Sequence, residues 1–362
     1  MYVEKVYLSD FRNYKSAEVA FKRGTNVIYG QNALGKTNIL EAICVMSTAR
    51  SHRGAKETEM IRLKQDIAKI KVDYFARERK NQSEIIFLKD KKRQASINGV
   101  FVGKTSEFIG RLKTVMFCPE DLKIVNGSPG ERRKMLDLGI CQLRQRYFHS
   151  LSTYYKILEQ RNKLLKEDPE SEMKWVWDEK LVESGADIVW YRYSYIKRIE
   201  NKVKEVLKEI SGEKIELIYD CCFDAEDFTD KEKIKEAFSN ELKLNEKREK
   251  HFGMSLIGPH RDDFKILLNS AEAKLYASQG QKRSIALSLK MAEAKLIKDD
   301  TDEVPVLLLD DVLSELDEKR RDYILNNIKD MQVIITCTEK DLFGNIADVN
   351  LIDVEKVGTR GT

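Results

Sequence analysis

Two glycines, an amine and a hydroxyl stand at G-x-x-x-x-G-K-[ST] spacing in Gly30-Gln31-Asn32-Ala33-Leu34-Gly35-Lys36-Thr37. Glycines let a backbone wrap around phosphates, so that successive N–H groups and the positive end of a helix dipole face the anion. Lys36 is placed to reach the β- and γ-phosphates, Thr37 to ligate Mg²⁺ through its hydroxyl, and Asn38, next in the chain, is counted among the nucleotide contacts. A second chemistry-bearing stretch is Leu307-Leu308-Leu309-Asp310-Asp311. Asp310 is expected to complete the Mg²⁺ shell, and Asp311 to face the γ-phosphate and orient or deprotonate an attacking water. A third is Ser278-Gln279-Gly280-Gln281, a hydroxyl and a glycine at a helix start, which makes a further anion-seeking terminus. One phosphate loop already satisfies one triphosphate, so a second such terminus implies a site completed by another molecule.

These groups work only if the chain delivers them to one place. Asn26-Val27-Ile28-Tyr29 reads as the strand feeding the phosphate loop, and Asn38 to Ile43 as the helix leaving it. Val304 to Leu309 reads as a strand buried on both faces, with its carboxylates at the carboxyl edge of a parallel sheet, where ligands of open α/β sheets bind. Gln332 to Thr338 reads as another buried strand ending in hydroxyls. The phosphate loop and the acidic strand lie so far apart in sequence that a large insertion must separate them. From about Pro129 to Phe252 the pattern is mostly helical, with one strand expected at Lys214–Tyr219. A stripe through Trp175, Trp177, Leu181, Ile188, Trp190, Tyr193, Ile196, Ile199 and Val203 is expected to be core of that helical lobe. The predicted division is 1–128 and 253–362 for the nucleotide-binding lobe, with 129–252 as the helical lobe.

At 362 residues and 42% hydrophobic, the chain can bury one large or two moderate cores. No basic-apolar leader opens the sequence and no window has the run of apolar residues that a membrane helix needs, so a cytoplasmic protein with no membrane partner is expected. The six cysteines form no C-x-x-C pair, which argues for reduced thiols rather than zinc. With 64 basic against 60 acidic side chains, bulk charge does not announce a nucleic-acid binder, so any such surface must come from local clusters. Lys89 to Arg93, Arg132-Arg133 and Lys197-Arg198 are the candidates.

The phosphate loop, the Ser278 turn, Leu307 to Asp311, Ser314-Glu315-Leu316-Asp317 and Thr336 occur in the order of an ATP-binding-cassette head of the SMC type. Leu8-Ser9-Asp10-Phe11-Arg12-Asn13-Tyr14, Phe117-Cys118-Pro119-Glu120-Asp121-Leu122 and Gly258-Pro259-His260-Arg261-Asp262-Asp263 narrow the match, and from end to end the chain resembles the bacterial RecF family. The resemblance implies an α/β fold: an ABC-type ATPase head, with a mixed sheet and a phosphate-loop core, an inserted helical lobe and no long coiled coil. It implies an ATP-dependent head-to-tail homodimer that binds double-stranded DNA and single-strand/double-strand junctions. RecO and RecR are the implied partners in loading RecA onto DNA coated by single-strand-binding protein, with slow, DNA-stimulated ATP hydrolysis.

Residue by residue, the resemblance implies that Ser278 and Gly280, with Gln281, cap the γ-phosphate held by Lys36 of the other subunit, and that Asp317 lies at the subunit contact. Glu120 matches the metal-facing Q-loop position, and Arg12 and Asn13 match nucleotide contacts. Thr336 stands where relatives usually carry His and Asp311 where many carry Glu, departures that both imply weak catalysis. A transporter ATPase would carry its signature much nearer the phosphate loop, a small-molecule kinase has no use for one acting in trans, and a DNA-binding scaffold with a vestigial site would not hydrolyse ATP.

Overall fold

The computed structural model describes residues 1–338 and 349–360, and these divide into two compact units. The first comprises Met1–Asp121 and Ala286–Thr362, the second Leu122–Ile285.

In the first unit a parallel sheet carries five strands in the order Asn350–Asp353, Thr25–Tyr29, Val333–Cys337, Val306–Asp310 and Thr114–Phe117. Every residue of Val306–Asp310 and Val333–Cys337 is buried, as expected of central parallel strands covered on both faces. A second, antiparallel sheet of seven strands is built mainly on Tyr2–Phe11, Tyr14–Ala20, Ile67–Ala76 and Arg79–Leu88. The helix Lys36–Thr48 packs against strands of both sheets, which is why Ile39, Leu40, Ala42, Ile43 and Val45 are all fully buried and the helix lacks a polar face. Buried Gln332 stitches three segments: its amide nitrogen donates to the Val3 and Lys22 carbonyls at 2.8 and 2.9 Å, and its oxygen accepts from the Val3 N–H at 2.7 Å.

The second unit holds the helices Pro129–Leu143, Gln145–Glu167, Lys174–Ile210 and Lys231–Phe252 and a three-stranded antiparallel sheet. At 37 residues, Lys174–Ile210 is the longest helix among the described residues, and it packs against its two long helical neighbours within the unit instead of extending as a coiled coil. Two fully buried guanidiniums pin these helices. Arg161 pairs with Asp178 and Glu249 at 2.6 Å each, and Arg192 with Asp137 at 2.8 Å while donating to the Pro259 carbonyl at 2.6 Å.

Two expectations shift. The sequence pattern puts the helical lobe at 129–252, whereas the unit runs from Leu122 to Ile285. The reason is strand pairing: Asp263–Leu268 pairs antiparallel with Ile215–Asp220, and Arg132 grips Asp263 through two hydrogen bonds of 2.6 and 2.7 Å. The aromatic stripe divides as well. Leu181, Ile188, Ile196, Ile199 and Val203 are core, but Trp175 is 66% exposed, and Trp190 lies at the rim, where its indole N–H donates to the Thr229 carbonyl at 2.9 Å. An indole N–H needs a partner, and at the rim it finds one without burying the ring.

Candidate nucleotide site

Sheet register assembles the site. Thr25–Tyr29, Val333–Cys337 and Val306–Asp310 are adjacent and parallel, with Asp310 opposite Thr336 and Cys337 opposite Tyr29. Their carboxyl ends therefore bring the start of the phosphate loop, the Thr336 hydroxyl and the Asp310 carboxylate to one edge.

The loop leaves Tyr29 through Gly30 at φ 140° and enters the helix through Gly35 at φ 94°. A Cβ on Gly35 would lie 2.7 Å from the Asn13 amide, so the residue must be glycine for space as well as for backbone angle. Lys36 is buried and curls back, its Nζ donating to the Gly30 and Gln31 carbonyls at 2.7 and 3.1 Å and to Asn32 Oδ1 at 3.4 Å. All of these are neutral acceptors, and nothing in that set neutralises the ammonium charge. The Thr37 hydroxyl donates to Asp310 Oδ1 at 2.8 Å. A hydroxyl and a buried carboxylate side by side are the oxygen donors that Mg²⁺ favours, so this pair fits the ion.

Thr336 completes a small network. Its hydroxyl donates to Asp310 Oδ1 at 2.7 Å and accepts from the Asp311 N–H at 3.0 Å. Burial raises the pKa of the Asp310 carboxyl, and the neighbouring Asp311 charge adds to this; the Thr336 and Thr37 hydroxyls pull the other way. Asp311 adopts the left-handed conformation at φ 52°, uncommon for a non-glycine residue, and its carbonyl accepts from the Ser314 hydroxyl at 2.7 Å. Asp317 caps the helix Glu318–Asn327, accepting from the Arg320 N–H at 3.0 Å and pairing with the same residue's guanidinium.

Arg12 and Asn13 sit at a hairpin tip beside the loop. Arg12 is committed to Glu41 through two bonds of 2.8 and 2.6 Å and to the Glu59 carbonyl at 2.8 Å, so in this structure it buttresses the helix after the loop. Asn13 Oδ1 accepts from Asn38 Nδ2 at 2.9 Å. Glu120 is exposed in a 3₁₀ turn just past the carboxyl end of Thr114–Phe117, on the same sheet edge as Asp310. Ser278, Gly280 and Gln281 belong to the second unit, at the start of the helix Gln279–Thr301.

Several contributors were not read from the sequence. Glu41 is fully buried; burial alone would raise its pKa, but hydrogen bonds from Arg12 and Ser51 and the charges of Arg12 and Arg53 hold it below the usual carboxylate range. An acidic residue inside an otherwise apolar helix was the available signal, since such a group demands a partner. Arg53 donates to Asn38 Oδ1 at 3.3 Å and its charge lowers the pKa of both Glu41 and Asp310. Lys290 pairs with Asp121 at 3.1 Å, and Asp121 in turn accepts from the Cys118 N–H at 2.9 Å, which fixes the segment carrying Glu120.

The expected basic clusters divide, with Arg93, Arg132 and Arg133 engaged within the fold and Lys91, Lys92, Lys197 and Arg198 exposed. Arg132 is buried against Asp263, Arg93 pairs with Glu57 at 2.9 Å, and Lys89 with Asp66 at 3.3 Å. Among the described residues one group could hold a metal through sulfur, Cys221, Cys222 and Asp262. Its Asp262 carboxylate already accepts from the Tyr219 hydroxyl and the Cys222 N–H, and burial pushes the Cys221 thiol pKa far up, which keeps it protonated.

Residues 2–360 match the model of the RecF/RecN/SMC N-terminal domain family. A protein of Acetivibrio thermocellus described as DNA replication and repair protein RecF is 42% identical over 351 residues, covering 95% of each chain. This chain belongs to the RecF family. A solved structure of the recombination mediator protein RecF with ATP, in the RecFOR pathway, superimposes on this RecF-family chain with a TM-score of 0.92 at 36% identity, covering 100% of it and 98% of the other. An SMC head domain from Pyrococcus furiosus, 17% identical with a TM-score of 0.54, shares the fold. ABC-type ATPase architecture, expected from the motif order, is therefore the architecture found, with the parallel and antiparallel strands in separate sheets. No helix among the described residues is long and apolar enough to cross a membrane.

Proposed function

We propose that this RecF-family chain is an ATP-switched clamp for double-stranded DNA in recombinational repair. The observation that carries the reading is the juxtaposition of Thr37, Asp310 and Thr336 at 2.7–2.8 Å beside a lysine whose acceptors among the described residues are neutral loop atoms. Lys36 moves from the Gly30 and Gln31 carbonyls to the β- and γ-phosphates of ATP, exchanging neutral acceptors for anionic ones. Thr37 and Asp310 would hold Mg²⁺, and the ion would supply neutralising charge to the triphosphate. Asp311 orients a water and accepts its proton as the water oxygen bonds to the γ-phosphorus and ADP departs. Thr336, in place of a histidine, fixes Asp310 and the Asp311 backbone but offers no second base, which fits slow turnover.

Ser278 and Gly280 of a second copy, with Gln281, cap the γ-phosphate, so that two nucleotides are enclosed in a head-to-tail dimer. ATP favours the dimer through bonds to both subunits, and hydrolysis removes the group that bridges them. Duplex DNA crosses the dimer on phosphate contacts, including junctions beside single-strand gaps, with steep salt dependence and little sequence preference. RecR and RecO are the partners with which the clamp promotes RecA loading onto DNA coated by single-strand-binding protein, in the cytoplasm.

Sedimentation with and without ATP and duplex DNA tests this reading. Wild-type protein should double its mass with ATP and bind DNA more tightly as a dimer, whereas Ser278→Arg should bind ATP normally and stay monomeric. Loss of ATP binding by monomeric Ser278→Arg would place Ser278 at its own subunit's nucleotide instead.

A further inference from the structure

The first turn of the helix Gln279–Thr301 is closed reciprocally. The Ser278 N–H donates to Gln281 Oε1 at 2.7 Å, and the Gln281 N–H donates to Ser278 Oγ at 3.2 Å. A glutamine amide can face either way, and its neighbours select the orientation. Here the neighbour is Glu213, whose Oε1 accepts from Gln281 Nε2 at 2.6 Å while Oε2 accepts from the Ser211 hydroxyl at 2.8 Å. A carboxylate only accepts, so Gln281 must turn its NH₂ toward Glu213 and its carbonyl toward the Ser278 N–H. Reversal would set oxygen against carboxylate and N–H against N–H.

The consequence falls on Ser278. With Gln281 N–H engaging a lone pair of Oγ, the hydroxyl proton is left to point away from the helix at an exposed residue, the polarity an anionic oxygen requires. Glu213 itself is held in a turn that follows the helix Lys174–Ile210: Gly212 takes φ 76°, and the Lys214 N–H donates to Asn269 Oδ1 at 3.0 Å.

We propose that Glu213 is a positioning residue for the Ser278–Gln281 turn, locking its amide so that the turn presents donors to the γ-phosphate held by a second copy of the chain. This rests on the reading above, in which Ser278 acts in trans. No nucleotide contact by Glu213 is involved, so its effect belongs to dimer formation and not to ATP binding by the monomer.

The test compares full-length wild type, Glu213→Gln, Glu213→Ala and Glu213→Lys by light scattering with Mg²⁺ and a slowly hydrolysed ATP analogue, alongside a fluorescent-nucleotide titration of dilute monomer. Glutamine at 213 can still offer an oxygen to Gln281 and should dimerise within about threefold of wild type. Alanine should weaken the dimer about tenfold, the equivalent of about 1.4 kcal/mol shared between its two composite sites. Lysine, a pure donor that favours the reversed amide, should weaken it further. Nucleotide affinity of the monomer should be the same in all four. Glu213→Asp, whose carboxylate is one methylene too short to reach Gln281 Nε2, should show a defect like that of alanine and covers the case in which the alanine or lysine variant misfolds. Wild-type dimer affinity in Glu213→Lys and Glu213→Asp overturns the inference alone, as does a parallel loss of nucleotide binding by the monomer. A wild type that hydrolyses ATP but never dimerises removes both the trans reading and this inference.

Discussion

Thr336→Val isolates the network that joins the Asp310 carboxylate to the Asp311 backbone. Valine nearly matches threonine in volume at a side chain that is 1% exposed, so packing is kept while two hydrogen bonds disappear. One is the 2.7 Å donation to Asp310, a bond to a charged group worth roughly 1.5–3 kcal/mol. The other is the 3.0 Å acceptance from the Asp311 N–H, and leaving that amide unsatisfied costs roughly 1–3 kcal/mol. Asp310 keeps its bond from Thr37, and the two losses share a site, so they do not add in full. The net expectation is a stability loss of about 2–4 kcal/mol, which for a unit of this size lowers the melting temperature by roughly 5–12 °C. ATP turnover should also fall about tenfold, because the Asp311 backbone loses its anchor; Thr336→Ser, which retains the hydroxyl, should recover most of both losses. Calorimetry of nucleotide-free protein and a phosphate-release assay read the two effects. A valine variant that melts within 2 °C of wild type and turns over at the wild-type rate would refute the idea that this hydroxyl organises the site.

Two further outcomes follow from the same geometry. Asp311→Asn should cut hydrolysis at least tenfold and prolong the ATP-bound dimer on DNA, yet leave stability equal or slightly higher, because asparagine tolerates the left-handed conformation at φ 52° and removes a charge beside Asp310; normal phosphate release would take Asp311 out of its proposed role. His260 has its pKa lowered to about 4 by burial, with the Arg261 charge adding and the Ser255 carbonyl opposing. The unfolded chain therefore takes up this proton first as pH falls: the stabilisation is intact above about pH 6.5 and declines toward pH 4, by about 2 kcal/mol between pH 6.5 and 5. His260→Gln should flatten that part of the urea-unfolding profile, and an unchanged slope would show that the imidazole carries no such linkage.

Local sequence determined the elements and their chemistry. Apolar runs of four or five residues specified the buried strands, and glycine spacing specified a loop that turns back on itself. The order of motifs was enough to indicate the family, since each motif carries residue types that few other structures require at that spacing. Partnership was decided by the tertiary structure. That Thr336 would bridge Asp310 and Asp311 depends on a register of one strand against its neighbour, and register is a long-range property. That Arg12 would be held by Glu41, Arg132 by Asp263 and Gln281 by Glu213 depends on which buried charge or amide finds which complement, across separations of 29, 131 and 68 residues. The boundary of the helical unit moved for the same reason, because strand 263–268 gains its hydrogen bonds from 215–220 and not from the segment that follows it. Composition and periodicity record what each residue prefers to bury. They do not record which residue it will be buried against, and in this chain that second choice sets the polarity of the Ser278 turn and the anchoring of Asp310.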